Sequence, residues 1–154
     1  MDPQTAAEDH RLITEALAQA RSGRDEGGVP IGSVLAIDGQ IMGRGHNRRV
    51  QQNSPILHAE MDCLRDAGRL PTRDYQRATL YTTLSPCDMC AGAILLFGIP
   101  RVVMAENQTF VGAEELLRSR GVELVNLDLT EAKELMAAFI RAHPKTWNED
   151  IGTD

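Results

Sequence analysis

The chain has 154 residues, of which 42% are hydrophobic and 25% charged, proportions that exclude disordered, collagen-like and fibrous classes. With 16 Lys and Arg against 22 Asp and Glu, the formal charge is −6, which disfavours binding to a nucleic-acid backbone. No run approaches the roughly 20 apolar residues that span a bilayer, residues 1–4 lack the pattern of a signal peptide, and 3 cysteines cannot all pair internally, so the expectation is one soluble domain over residues 1–154 in a reducing cytoplasm.

Along the chain, residues 6–22 read as an amphipathic helix, because Leu12, Ile13, Ala16, Leu17 and Ala20 make one apolar stripe. Gly27, Gly28 and Pro30 end it. A short apolar strand over 31–37 turns at Asp38-Gly39, a two-residue hairpin signal, into a returning strand over 40–44. Residues 45–55 read as a loop and 58–67 as a helix closed by Gly68. A strand over 78–83 leads to Ser85-Pro86, expected to open a helix running to Phe97 with Ser85 as N-cap, Pro86 at the first position and Asp88 completing a capping-box-like pattern. There follow a strand at 101–105, a short helix at 114–120, a strand at 122–127 and a helix at 130–142 stopped by Pro144. The tail over 147–154 has no clear period. A hairpin followed by alternating strands and helices implies a five-stranded mixed sheet with helices on both faces.

The chemistry concentrates in two places, His58-Ala59-Glu60 and Pro86-Cys87-Asp88-Met89-Cys90. Zinc favours thiolate and imidazole ligands in a tetrahedral shell. Two Cys at i, i+3 lie on one helix face about 5–6 Å apart. In a first helical turn, unpaired N–H groups and the helix dipole lower the thiol pKa. His58 and Glu60 lie roughly 200° apart on a helix, so they serve one site only where the helix begins and its N-terminal end faces the metal. Three protein ligands leave a fourth position for water, the mark of a catalytic zinc, and a carboxylate beside it can move the water proton. Glu60 fits that role. The combined pattern H-x-E…P-C-x-x-C is the signature of zinc-dependent deaminases.

The alternatives explain less. A redox pair leaves His58, Glu60 and Pro86 without a role, and a four-cysteine structural site would need a second C-x-x-C that the sequence lacks. Cys63 reads as a small core residue, His10 and His143 as surface residues. His46 stays open as a ligand, although the set is complete without it.

Further blocks carry a resemblance. They are residues 26–32 (EGGVPIG), 43–47 (GRGHN), 57–60 (LHAE), 79–90 (TLYTTLSPCDMC), 98–101 (GIPR), Glu106-Asn107 through Phe110, and Trp147 through Gly152. On these the chain resembles the fungal-type cytosine deaminases, small members of the zinc-dependent cytidine deaminase-like superfamily. The resemblance implies a three-layer α/β/α sandwich, a homodimer, one Zn2+ per chain, and hydrolysis of free cytosine to uracil and ammonia, a reaction of pyrimidine salvage. It implies that His58, Cys87 and Cys90 bind the metal and that Glu60 shuttles protons. Asn47 would meet the base near ring N1 and the carbonyl, and Asp150 near the exocyclic amine. Phe110 and Trp147 would wall the pocket with Ile31, the Ala59 N–H would face the carbonyl, and Leu84 and Ser85 would offer backbone contacts near the departing amine.

The sequence departs from the fungal pattern at Ala59, usually Gly there, and at Asn148, usually aromatic. Two other enzyme readings use the same signature: a deaminase of another small base (a modified cytosine, isocytosine or guanine) and a tRNA adenosine deaminase. Arg44, Arg48 and Arg49 near the site loop give the tRNA reading its support, while the acidic balance opposes it. An inactive zinc scaffold leaves Glu60 unexplained.

Overall fold

A computed structural model of the chain describes residues 1–153. Helix α1 (Pro3–Asp25) outruns the expected 6–22 at both ends. Asp2 caps it by accepting from the Thr5 N–H at 3.2 Å, and Pro3 occupies the first turn, where its missing donor costs nothing. Strands β1 (Gly32–Ile37) and β2 (Gln40–His46) form the expected hairpin, with Asp38 at φ 51° and Gly39 at φ 76° in its turn. Helices α2 (Ala59–Ala67) and α3 (Thr72–Tyr75) precede β3 (Ala78–Thr82). Then come α4 (Asp88–Phe97), β4 (Arg101–Met104), α5 (Glu114–Ser119), β5 (Glu123–Asn126), α6 (Thr130–Ala142) and α7 (Pro144–Asp150).

The five strands make one sheet in the order β2-β1-β3-β4-β5. β1 is antiparallel to both neighbours, whereas β3, β4 and β5 run parallel. Every residue of β1 is buried, which requires cover on both faces. Side chains alternate across a strand. Val34 and Ala36 thus join Leu12, Ala16, Tyr81, Val103 and Ala132 on the α1 and α6 side, while Leu35 and Ile37 join Cys63, Leu80, Ala91, Ile94 and Val102 on the α2 and α4 side. The result is the three-layer α/β/α arrangement.

Several expectations are corrected. The fourth helix does not begin at Ser85-Pro86: Cys87 is the N-cap and Asp88 the first helical residue. The Ser85 hydroxyl instead donates to Glu114 at 2.6 Å and accepts from the Gly112 N–H at 2.9 Å, so it is not free to cap. Pro144 does stop α6, but it also starts α7, because proline suits a first turn as well as it ends a helix. The short α3 has too few residues for a period. β2 runs two residues past Arg44, since Gly43 and Gly45 let its backbone lie on α2: a Cβ on Gly45 would stand 2.2 Å from the Cys63 nitrogen. Other boundaries differ by a residue or two. Among the described residues, no helix is long and apolar enough to cross a membrane.

Candidate active site

The site forms where the first turns of α2 and α4 converge. His58 is the N-cap of α2 (φ −63°, ψ 161°) and Cys87 the N-cap of α4 (φ −70°, ψ 178°), and neither side chain caps its own helix. Both side chains are therefore free to turn toward each other. The Cys87 sulfur lies 3.4 Å, and the Cys90 sulfur 3.8 Å, from His58 Nδ1, and all three donor atoms fall within 4.8 Å of one another. A compact N, S, S set of this kind fits a tetrahedral zinc with one position left over. With α2 beginning at Ala59, Glu60 lies in its first turn and shares this end of the helix with His58, as the i, i+2 spacing demands.

The protons of the donor set are distributed unevenly. A hydrogen bond from the Cys90 thiol outweighs burial, and with the contact to His58 it holds Cys87 down to about 4. Cys90 is pushed well up, by donating to Cys87 and by burial. Burial opposes charge on His58, yet its bond to Cys87 and the carboxylates of Asp150 and Glu60 prevail and lift it to about 9. The set thus reads as a thiolate, a thiol and an imidazolium, and a metal taking all three ligands would displace two protons. Glu60 is buried, and that burial lifts its carboxyl to about 7 against the opposing charge of His58.

Beside the donors is a small, partly open space of about 20 Å³, room for one water. Ile31 at the approach to β1, Leu84 and Ser85 beyond β3, Ala59 and Glu60 of α2, and Trp147 and Asp150 of α7 all border it. Phe110 borders it too, edge-on to Trp147 with ring centroids 6.3 Å apart at 88°. Asn47 does not line this space. It is fully buried behind it and donates to Asp150 Oδ2 at 2.7 Å, while its own Oδ1 accepts from the Arg49 N–H at 3.1 Å. The second Asp150 oxygen lies 3.3 Å from His58 Nε2. Burial pushes the Asp150 carboxyl up, against His58, Asn47 and Arg49. Sequence reasoning missed Ile151, which also lines the space. Its only signal was its place one turn after Trp147, legible once the tail is known to be helical.

Other singled-out residues stand apart. His46 is not a ligand: its Nε2 faces Glu26 at 2.9 Å and its Nδ1 faces Gln19 at 3.2 Å. The buried Cys63 thiol faces the Gly43 carbonyl at 3.4 Å, and burial pushes its pKa far up. His10 and His143 are exposed. Each arginine near the loop faces a carboxylate: Arg44 with Glu15 at 3.7 Å, Arg48 with Asp62 at 2.8 Å, and Arg49 with Asp150 at 3.9 Å.

A family model described as the cytidine and deoxycytidylate deaminase zinc-binding region matches residues 6–106. The chain is 53% identical to a cytosine deaminase of Candida albicans over 146 residues, covering 94% of this chain and 97% of that one. It is 38% identical to a tRNA-specific adenosine deaminase of Streptococcus pyogenes over 141 residues, covering 88% and 87%. Among solved structures, one from a study of A-to-I editing by tRNA:A34 deaminases superposes with a TM-score of 0.70 at 32% identity, over 82% of this chain and 99% of that one. A guanine deaminase from Nitrosomonas europaea shares the fold, with a TM-score of 0.69 at 21% identity over 83% and 82%.

Proposed function

The chain belongs to the cytidine and deoxycytidylate deaminase zinc-binding family, and from that membership we propose that it hydrolyses free cytosine to uracil and ammonia. The observation that carries the reading is the meeting of His58, Cys87 and Cys90 with the buried carboxyl of Glu60 at one small apolar-walled space. The choice of cytosine is supported by the likeness to the Candida albicans enzyme over nearly both whole chains.

In this reading His58, Cys87 and Cys90 hold one Zn2+, which when bound makes a water reactive at neutral pH. Glu60 takes the proton of the attacking water and delivers it to N3 as C4 of the pyrimidine becomes tetrahedral. It then takes the proton of the new C4 hydroxyl and passes it to the exocyclic nitrogen, so that the C4–N bond breaks, the C4 carbonyl forms and ammonia leaves. Burial favours the protonated form of Glu60, which suits a group that holds a proton between two transfers. Phe110, Trp147 and Ile31 offer flat and aliphatic walls to a planar ring. Asp150 has acceptor capacity beyond its contacts to Asn47 and His58. The Ser85 hydroxyl is spent on Glu114 and Gly112, so Ser85 and Leu84 contribute through their backbone.

Residues 1–154 act as one deaminase domain in the cytoplasm, in pyrimidine salvage. A homodimer is what the resemblance to the fungal-type cytosine deaminases implies for this chain. The tRNA reading has less support, since the tRNA-specific adenosine deaminase relative is 38% identical against 53% for the cytosine deaminase, and the chain carries a formal charge of −6. An ammonia-release screen across cytosine, methylated and halogenated cytosines, isocytosine, cytidine, adenine and guanine tests the proposal. Cytosine should lead, and cytidine outperforming cytosine would overturn the free-base reading.

A further inference from the structure

β2 is an edge strand, so alternate N–H groups along its outer side have no partner within the sheet. Two of them find carboxylates on α2. The Arg44 N–H donates to Asp66 at 2.9 Å and the His46 N–H to Asp62 at 3.0 Å. The spacings match: four residues of helix advance about 6 Å and two residues of strand about 6.6 Å. Gly43 and Gly45 make the contact possible, since a Cβ on Gly43 would stand 2.7 Å from the Ala67 nitrogen.

Asp62 does more than close the edge. The oxygen that accepts from His46 also accepts from Arg48 Nε at 2.8 Å, and the other accepts from Arg65 at 2.7 Å. His46 and Arg48 flank Asn47. The Asp62 N–H in turn donates to the His58 carbonyl at 2.9 Å. One buried carboxylate therefore ties both neighbours of Asn47 to the helix whose first turn holds His58 and Glu60.

We propose that Asp62 is a positioning residue for base binding, fixing Asn47, and through it Asp150, in register with His58 and Glu60. The inference rests on the reading above, in which Asp150 borders the base site, and Asn47, which does not line the space, acts by holding Asp150. Asp62 does not border the space either, so its effect passes through Asn47.

The experiment is steady-state kinetics with cytosine on zinc-loaded Asp62→Asn, Arg48→Ala, Asn47→Ala and the Asp62→Asn/Asn47→Ala double variant, with zinc content measured on each. Asp62→Asn should raise KM about tenfold, the scale of one ordinary hydrogen bond, at full zinc content. Its kcat should stay within about threefold, because binding and not the chemical step is disturbed. Asn47→Ala should raise KM by a smaller factor in the Asp62→Asn background than alone, as coupled residues do. Arg48→Ala, at a half-buried position, should raise KM in the same sense, and it decides the matter if Asp62→Asn does not fold. An unchanged KM in Asp62→Asn or Arg48→Ala, beside a raised one in Asn47→Ala, overturns the positioning role and leaves the pocket reading standing. An unchanged KM in Asn47→Ala also overturns the inference, since Asp150 would then be held without Asn47. A joint loss of kcat and zinc in Asp62→Asn would place its effect on the metal-binding helix and overturn the inference.

Discussion

His58 presents its two ring nitrogens to two different partners: Nδ1 to the sulfurs of Cys87 and Cys90, and Nε2 to the Asp150 carboxylate at 3.3 Å. A proton held on Nε2 by Asp150 leaves the Nδ1 lone pair for a metal, and such partners of ligating histidines typically govern affinity by 10–100-fold. Asp150→Asn is therefore expected to weaken zinc binding by roughly that factor, read by competition with a chromogenic chelator. Wild-type affinity in the variant would remove Asp150 from any role in orienting His58.

Glu60→Gln keeps the shape of a buried side chain and removes its ability to accept a proton. Zinc content should remain that of the wild type, while turnover falls by about 10²–10⁴, the usual contribution of general acid–base catalysis. Substantial activity with the metal confirmed in place would exclude Glu60 as the proton carrier.

Trp147 is the chain's one tryptophan, and it forms part of the wall beside Phe110. Its intrinsic fluorescence should change and saturate on titration with a pyrimidine inhibitor, at the concentration that half-inhibits ammonia release. A signal that ignores the inhibitor would place the base elsewhere.

Away from the site, Asp9 is buried on α1. It accepts two hydrogen bonds from Arg101, at 2.8 and 2.7 Å, and one from Tyr81 at 2.9 Å. Burial alone would raise its carboxyl, but these partners hold it below the ordinary 3.8. A depressed carboxylate contributes stability above its unfolded-state value and loses it as pH falls through the folded-state value. The stability gap between the wild type and Asp9→Asn should thus be full at neutral pH and shrink below about pH 3.8. Chemical denaturation at several pH values measures it. Asp9→Ala leaves Arg101 paired with Glu123 alone and the buried Tyr81 hydroxyl without its acceptor, and should cost about 1–3 kcal/mol.

Much of this was legible in the sequence because the signals were local. Apolar periodicity marked α1 and α6, Asp38-Gly39 marked the hairpin, and the paired metal motifs implied two helix starts before any were seen. What escaped depended on contacts between distant segments. Ser85 looked like a cap, but its hydroxyl was taken by Glu114, 29 residues on. Pro144 looked like a stop and is also a start. His46 remained ambiguous until Gln19 and Glu26 were found facing its ring. Nothing in the sequence says that an edge strand lies against Asp62 and Asp66.

The three metal donors belong to residues 58–90, while Trp147, Asp150 and Ile151 come from the far end of the chain. During synthesis the donor residues emerge from the ribosome well before the segment that walls the pocket. The donor residues and the last part of the wall are therefore made at different times, and truncation before residue 147 would remove Trp147, Asp150 and Ile151 from the site while leaving the three donor residues in the chain.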